Sequence, residues 1–125
     1  MRVLLIDNSS AMRRIIAGAL KRMGHHDIVE AANGREGLEQ VSASGIDLAI
    51  TDWTMPEMDG IEFTRAVRAM DTTRDLPVLM VTTNATRDHI VEAVNAGVSG
   101  YVVKPFTPDT LRQKIEMLVG HAEAP

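Results

Sequence analysis

Five short apolar runs divide this chain, and each is followed by a polar turn and then by a segment whose apolar residues recur at helical spacing. The runs are Val3–Ile6, Ile28–Ala31, Asp47–Thr51, Val78–Val81 and Gly100–Val103. Runs this short and this continuously apolar suit strands covered on both faces. The second run is the exception: Glu30 interrupts it, which predicts an edge position. Met12, Ile15, Ile16, Ala19, Leu20 and Met23 predict a first helix, opened by the Ser9-Ser10 pair and ended at Gly24. Asn33-Gly34-Arg35-Glu36 has the form of a capping box for a second helix, with Leu38 and Val41 as its thin apolar face and Gly45 as its stop. Asp59-Gly60-Ile61-Glu62 repeats the capping pattern ahead of Phe63, Ala66, Val67 and Met70. Ile90, Ala93 and Val94 predict a fourth inward face between Thr86 and Ala96, closed by Gly97. Thr107 and Pro108 open a fifth helix, which turns Leu111, Ile115 and Leu118 inward.

Strands alternating with helices, with no repeat or linker, predict one α/β domain with helices on both faces of a parallel sheet. Right-handed crossovers restrict the strand order. The order 2-1-3-4-5 of the flavodoxin-like (βα)5 fold places the weak second strand at an edge, as its Glu30 requires. The domain is expected to span residues 1–120, with 121–125 as a short tail.

Composition excludes several classes. The formal charge is -4 with no basic stripe, which gives no electrostatic footing for nucleic acid. There is no cysteine, hence no disulfide framework and no thiol chemistry. The N-terminal apolar run ends at Asp7, too soon for a signal peptide or a membrane span, so a soluble cytoplasmic protein without membrane insertion is expected. The four histidines, His25, His26, His89 and His121, are expected to be solvated.

In a parallel sheet all strand C-termini meet on one rim, where such folds place their chemistry. Here that rim would gather Asp7 and Asn8 from the first strand, Asp52 from the third, Thr82 from the fourth and Lys104 from the fifth. Any one of these alone is an ordinary cap, β-former or surface charge. Together they supply carboxylates for a hard cation such as Mg²⁺, an aspartate able to act as nucleophile toward a phosphoryl group, and an ammonium to neutralise its charge.

The stretches Leu5-Ile6-Asp7, Met12-Arg13-Arg14-Ile15, Asp52-Trp53-Thr54-Met55-Pro56-Glu57-Met58-Asp59-Gly60, Pro77 to Thr82 and Ser99 to Thr107 together resemble the receiver domain of bacterial response regulators, of the stand-alone chemotaxis type. The resemblance runs through the whole chain in order. It implies that Asp52 accepts a phosphoryl group from the phosphohistidine of a histidine kinase. It implies that Asp7, the Asp52 carboxylate and the Thr54 backbone carbonyl hold Mg²⁺, that Lys104 binds the phosphoryl group, and that Thr82 and Tyr101 are the switch pair. It also implies a cis Lys104-Pro105 bond. Thr54 and Asn84 would border the path of the hydrolytic water and tune the lifetime, so autodephosphorylation is expected without strong assistance. With no effector domain following, output would pass through a partner surface on helix 4, strand 5 and helix 5 that presents Ala85, Asn95, Tyr101, Phe106, Lys114 and Met117. A flagellar motor switch protein or a phosphatase would be the downstream partner, and the chain would act as a monomer rather than as an enzyme on other substrates. One position departs from the family: Asn8 stands where a second acid is usual. Its amide oxygen could ligate Mg²⁺ or hold a water but brings no charge, which implies weaker metal binding. The alternative reading is a receiver-like interaction module whose phosphosignalling Asn8 has weakened. A phosphatase or flavoprotein is disfavoured: Asp52-x-Thr54 is not a paired Asp-x-Asp, and no Gly-rich loop follows the first strand.

Overall fold

The computed structural model describes residues 1–120; the expected tail at 121–125, with His121, lies outside the described residues. Its elements are β1 (Arg2–Ile6), α1 (Ser10–Arg22), β2 (Asp27–Ala31), α2 (Gly34–Ser44), β3 (Leu48–Thr51), α3 (Gly60–Ala69), β4 (Val78–Thr82), α4 (Arg87–Ala96), β5 (Gly100–Val103) and α5 (Pro108–Val119). The strands form one sheet in the order β2-β1-β3-β4-β5, all parallel. The expected order and class are both observed. No helix among the described residues is long and apolar enough to cross a membrane.

Alternation along β1 shows how the layers form. Val3 and Leu5 point to one side and pack with Ile16 and Leu20 of α1 and Leu111 and Ile115 of α5. Leu4 and Ile6 point to the other and pack with Val41 of α2 and Phe63 and Val67 of α3. A strand turns successive side chains to opposite faces, so a strand buried on both sides must be apolar at every position. α4 covers the far end of the second face with Ala93 and Ala96 against Trp53, Ile61 and Met80. Phe63 is fully buried, and burial of such a ring contributes about 2–3 kcal/mol.

The caps follow the sequence with one difference. Asp59 and Glu62 form a complete capping box at the start of α3. At α2 the Asn33 side chain accepts from the Glu36 N–H, but Glu36 reaches back to the N–H of Ala32 rather than that of Asn33. The fully extended backbone of Asn33 (φ -155, ψ 172) is what places the earlier amide within reach.

Three expectations are corrected. Val94 was expected to face inward, yet it is 60% exposed; the inner face of α4 is Ala93 and Ala96, whose small side chains let the helix lie close to the sheet. Ile15 likewise faces solvent while Ile16 takes the core position. His25 is buried rather than solvated, enclosed where the chain leaves α1 and its N–H donates to the Leu20 carbonyl. His89 is half-buried, its ring edge-on to Trp53 at 5.2 Å.

Candidate functional site

The rim formed by the C-terminal ends of β1, β3, β4 and β5 joins three of the five side chains that the sequence placed there, Asp7, Asp52 and Lys104. Lys104, one residue beyond β5, donates from Nζ to Asp7 Oδ2 at 3.0 Å and to Asp52 Oδ2 at 3.2 Å. All three side chains are largely buried, that of Lys104 12% exposed. A buried ion pair needs its remaining lone pairs satisfied, and both carboxylates meet that condition. Asp7 Oδ1 accepts from the Ser9 N–H at 2.9 Å, and Asp52 Oδ1 accepts from the Trp53 N–H at 2.6 Å. Their backbones are held as well. The Asp7 N–H donates to Ala31 and the Asp52 N–H to Ile6, which ties each acid to the neighbouring strand. The Lys104-Pro105 bond is cis, as the resemblance implied.

A close approach of α3 sets the loop after β3. The Gly60 N–H donates to the Trp53 carbonyl at 2.8 Å. A Cβ on Gly60 would lie far inside van der Waals contact of the Asp52 carbonyl oxygen. Only glycine allows α3 to start this close to the acid. Glu57 in the same loop has φ 68, in the left-handed region, and its carboxylate accepts from Asn33 Nδ2 at 3.2 Å.

Thr82 ends β4, buried, and its hydroxyl accepts from the Asn84 N–H at 3.2 Å. Tyr101 donates its hydroxyl to the Asn84 carbonyl at 2.5 Å. Thr82, Asn84 and Tyr101 are therefore linked through one peptide segment. Burial raises the Tyr101 phenol above its usual range, and the negative charge of Asp52 adds to the effect. Tyr101 is the only tyrosine, so an absorbance titration reads it alone. The expected midpoint lies above the usual value of about 10, and Asp52→Asn is expected to lower it. A midpoint unmoved by that substitution would contradict the electrostatic part. A phenol that binds its proton more tightly when folded contributes stability below about pH 10 and loses it as pH rises through the folded midpoint.

Asn8 is exposed at the rim, as is Thr54. Among the described residues no group of three or more acids or histidines is placed to hold a metal. The donor set is two carboxylates close enough to share one ammonium, with carbonyl and amide oxygens beside them in sequence. That set fits a small hard cation that keeps several waters, as Mg²⁺ does. Of the expected partner surface, Ala85, Asn95 and Met117 are exposed, Tyr101 and Lys114 are half-buried, and Phe106 packs partly against the core beneath α1 and α5. Val91, Val94 and Val103 add exposed apolar area on α4 and β5.

Sequence reasoning missed Arg13, whose Nη1 donates to the Asp7 carbonyl, and Arg68, which donates to the nearby carbonyls of Arg74 and Leu76 and to the distant one of Gly97. Neither contact leaves a trace in periodicity.

Comparison with known proteins agrees with this geometry. The chain is 48% identical to the chemotaxis protein CheY of Pseudomonas aeruginosa, over 94% of this chain and 95% of that one. It is 44% identical to a CheY homologue of Campylobacter jejuni, over 96% and 93%. Among solved structures, CheY4 of Vibrio cholerae superposes with a TM-score of 0.87 at 34% identity, covering 94% of this chain and 97% of that one. Residues 3–116 match the response regulator receiver domain. With Asp7, Asp52 and Lys104 joined on the rim of a 2-1-3-4-5 sheet, the chain belongs to the response regulator receiver domain family, among relatives that serve chemotaxis.

Proposed function

We propose that this chain is a phosphorylation-switched signalling module in which Asp52 accepts a phosphoryl group from the phosphohistidine of a histidine kinase. The observation that carries the reading is the single ammonium of Lys104 bonded to both Asp7 and Asp52. In the transfer an Asp52 carboxylate oxygen forms the new O–P bond as the P–N bond to the imidazole breaks. The electron pair leaves with the imidazole nitrogen, which is then protonated from solvent. Such a transfer depends on positioning and charge neutralisation more than on acid–base chemistry. Lys104, bonded to Asp52, would follow the added charge, and the Trp53 N–H would keep one acceptor oxygen oriented. Asp7, Asp52 and the Thr54 carbonyl would hold Mg²⁺, with Asn8 contributing an amide oxygen or a held water. When bound, Mg²⁺ supplies neutralisation of the phosphoryl oxygens.

The added phosphoryl charge would draw the Thr82 hydroxyl toward it. Because Thr82 and Tyr101 share Asn84, that movement would reach the α4–β5–α5 face. A local charge change biasing a two-state element is the ordinary form of such switches. The face presents Ala85, Asn95, Tyr101, Phe106 and Lys114 to a downstream protein, a flagellar motor switch protein or a phosphatase, with the chain acting as a cytoplasmic monomer. Thr54 and Asn84 tune the lifetime; neither is an acid, so hydrolysis of the acyl phosphate proceeds without strong assistance. The test is incubation with a small phosphoramidate donor and Mg²⁺, followed by intact mass. Gain of one phosphoryl group supports the reading, and no gain under any metal condition overturns it in favour of a receiver-like interaction module.

Asn8 is the observation that favours this second reading, because the pocket has one charge fewer than its family usually carries. Asn8→Asp is expected to tighten Mg²⁺ binding about tenfold or more, as expected for one added anionic ligand. Mg²⁺ titration of the fluorescence of Trp53, the only tryptophan, measures it. Equal affinities in the two proteins would remove Asn8 from the account.

A further inference from the structure

We propose that Arg13 is a positioning residue of the phosphoryl-accepting site, acting through the peptide of Asp7; this rests on the reading of Asp52 as acceptor. Asp7 is the first residue beyond β1, where sheet pairing no longer fixes both sides of the backbone. Three of its polar atoms are bound by the Ala31 carbonyl, the Ser9 N–H and the Lys104 ammonium. The fourth, its carbonyl oxygen, accepts from Arg13 Nη1 at 2.5 Å.

The guanidinium that makes this bond is itself held. Arg13 Nε donates to Glu30 Oε1 at 2.7 Å, and the side chain is only 17% exposed. Arginine is seldom this covered unless it is paired. Its donors form a rigid fork, so fixing Nε on Glu30 sets the direction of Nη1. A brace therefore runs from Glu30 on the edge strand β2, across the end of β1, to the carbonyl of Asp7. The peptide joining Asp7 to Asn8 is set by this brace, and both residues are candidate oxygen donors to the cation. Arg13 bonds to neither the Asp7 nor the Asp52 carboxylate, and its charge is met by Glu30 instead. Its part is therefore to aim Asp7, not to neutralise it. Where Asn8 has removed one anionic ligand, the aim of the remaining carboxylates decides more of the affinity.

Four proteins test this: Arg13→Met, Arg13→Lys, Glu30→Gln and the core variant Ile115→Val, each beside wild type. Three measurements are made: Mg²⁺ titration of Trp53 fluorescence, the rate of phosphate gain from a small phosphoramidate, and the melting temperature. Arg13→Met is expected to raise the half-saturating Mg²⁺ about tenfold, the usual effect of losing a partner that orients a ligand. Arg13→Lys is expected to stay close to Arg13→Met, because a point charge does not reproduce the fork. Glu30→Gln, which keeps an acceptor oxygen for Nε, is expected to fall between wild type and Arg13→Met. Ile115→Val is expected to lower the melting temperature with the Mg²⁺ response unchanged.

An Arg13→Met protein whose Mg²⁺ midpoint and phosphate gain both match wild type overturns the proposal. So does a Mg²⁺ shift of equal size in Ile115→Val, which would make the effect one of stability. Wild-type protein that binds Mg²⁺ but takes up no phosphate overturns the acceptor reading while the Mg²⁺ midpoints still judge Arg13. Wild-type protein that responds to neither overturns both.

Discussion

Asp52→Asn is expected to abolish phosphate gain, by a thousandfold or more, on the order seen when a nucleophile is removed. An amide has no anionic oxygen with which to form the O–P bond, and no other carboxylate occupies its place. Asp7 shares the same ammonium, but it leads from β1 and is bound at Oδ1 by Ser9 rather than by the Trp53 amide. The fold is expected to persist. The Asn oxygen can still accept from Trp53, and Lys104 keeps Asp7, so the stability loss is about 1 kcal/mol, that of one exchanged hydrogen bond. Intact mass after phosphoramidate treatment measures the first quantity and chemical denaturation the second. Undiminished phosphate gain in Asp52→Asn would move the acceptor elsewhere.

Gly60→Ala is expected to be the most damaging small substitution in the loop. The added methyl meets the Asp52 carbonyl oxygen, a backbone atom that Thr51 Oγ1 also bonds at 2.8 Å. Either α3 must retreat, which breaks the Gly60 to Trp53 bond, or the acid must move. A clash that displaces backbone costs about 3 kcal/mol. Phosphate gain should fall together with stability, because the displaced group is the peptide of Asp52, the proposed acceptor. Gly18→Ala supplies the contrast. Gly18 lies inside α1 with the nearest atom, at the end of Arg22, 3.5 Å from an added Cβ. That substitution should stabilise by about 0.5–1 kcal/mol. Urea denaturation of the two variants compares them directly, and a Gly60→Ala protein as stable as wild type would show that the loop yields without cost.

The strands were legible because a parallel sheet buried on both faces leaves a continuous apolar run; β2, with exposed Asp27 and Glu30, departs from that at one edge, while β5 at the other edge keeps apolar residues although only Val102 is fully buried. The acids and the lysine were legible because strand ends collect on one rim whatever the side chains. Hydropathy failed where size, not polarity, decided the outcome. On α4 it ranks Val94 above Ala96, but the alanine faces the sheet and the valine faces solvent. Ile15 and Ile16 are equally apolar, yet Ile16 is buried and Ile15 is exposed, so hydropathy has no means of choosing between them. The burial of His25 and the brace from Glu30 to Asp7 depend on side chains meeting distant backbone. No local pattern encodes such meetings.

Arg68 has a mechanical consequence. From α3 it donates to the carbonyls of Gly97, Arg74 and Leu76, and to Ser99 Oγ, while Ser99 Oγ accepts from the Val78 N–H. Burial lowers the pKa of its guanidinium from the ordinary arginine value, and Asp75 works against that shift. The C-terminal end of α4 is thus riveted to α3 and β4. The N-terminal end, capped by Thr86, lies beside Asn84, where the Thr82 and Tyr101 bonds meet. Ten residues at 1.5 Å each make α4 a bar of about 15 Å. Held at Gly97, such a bar would pivot there, so a displacement started at Asn84 would be greatest at the first turn of α4 and would fade toward Asn95.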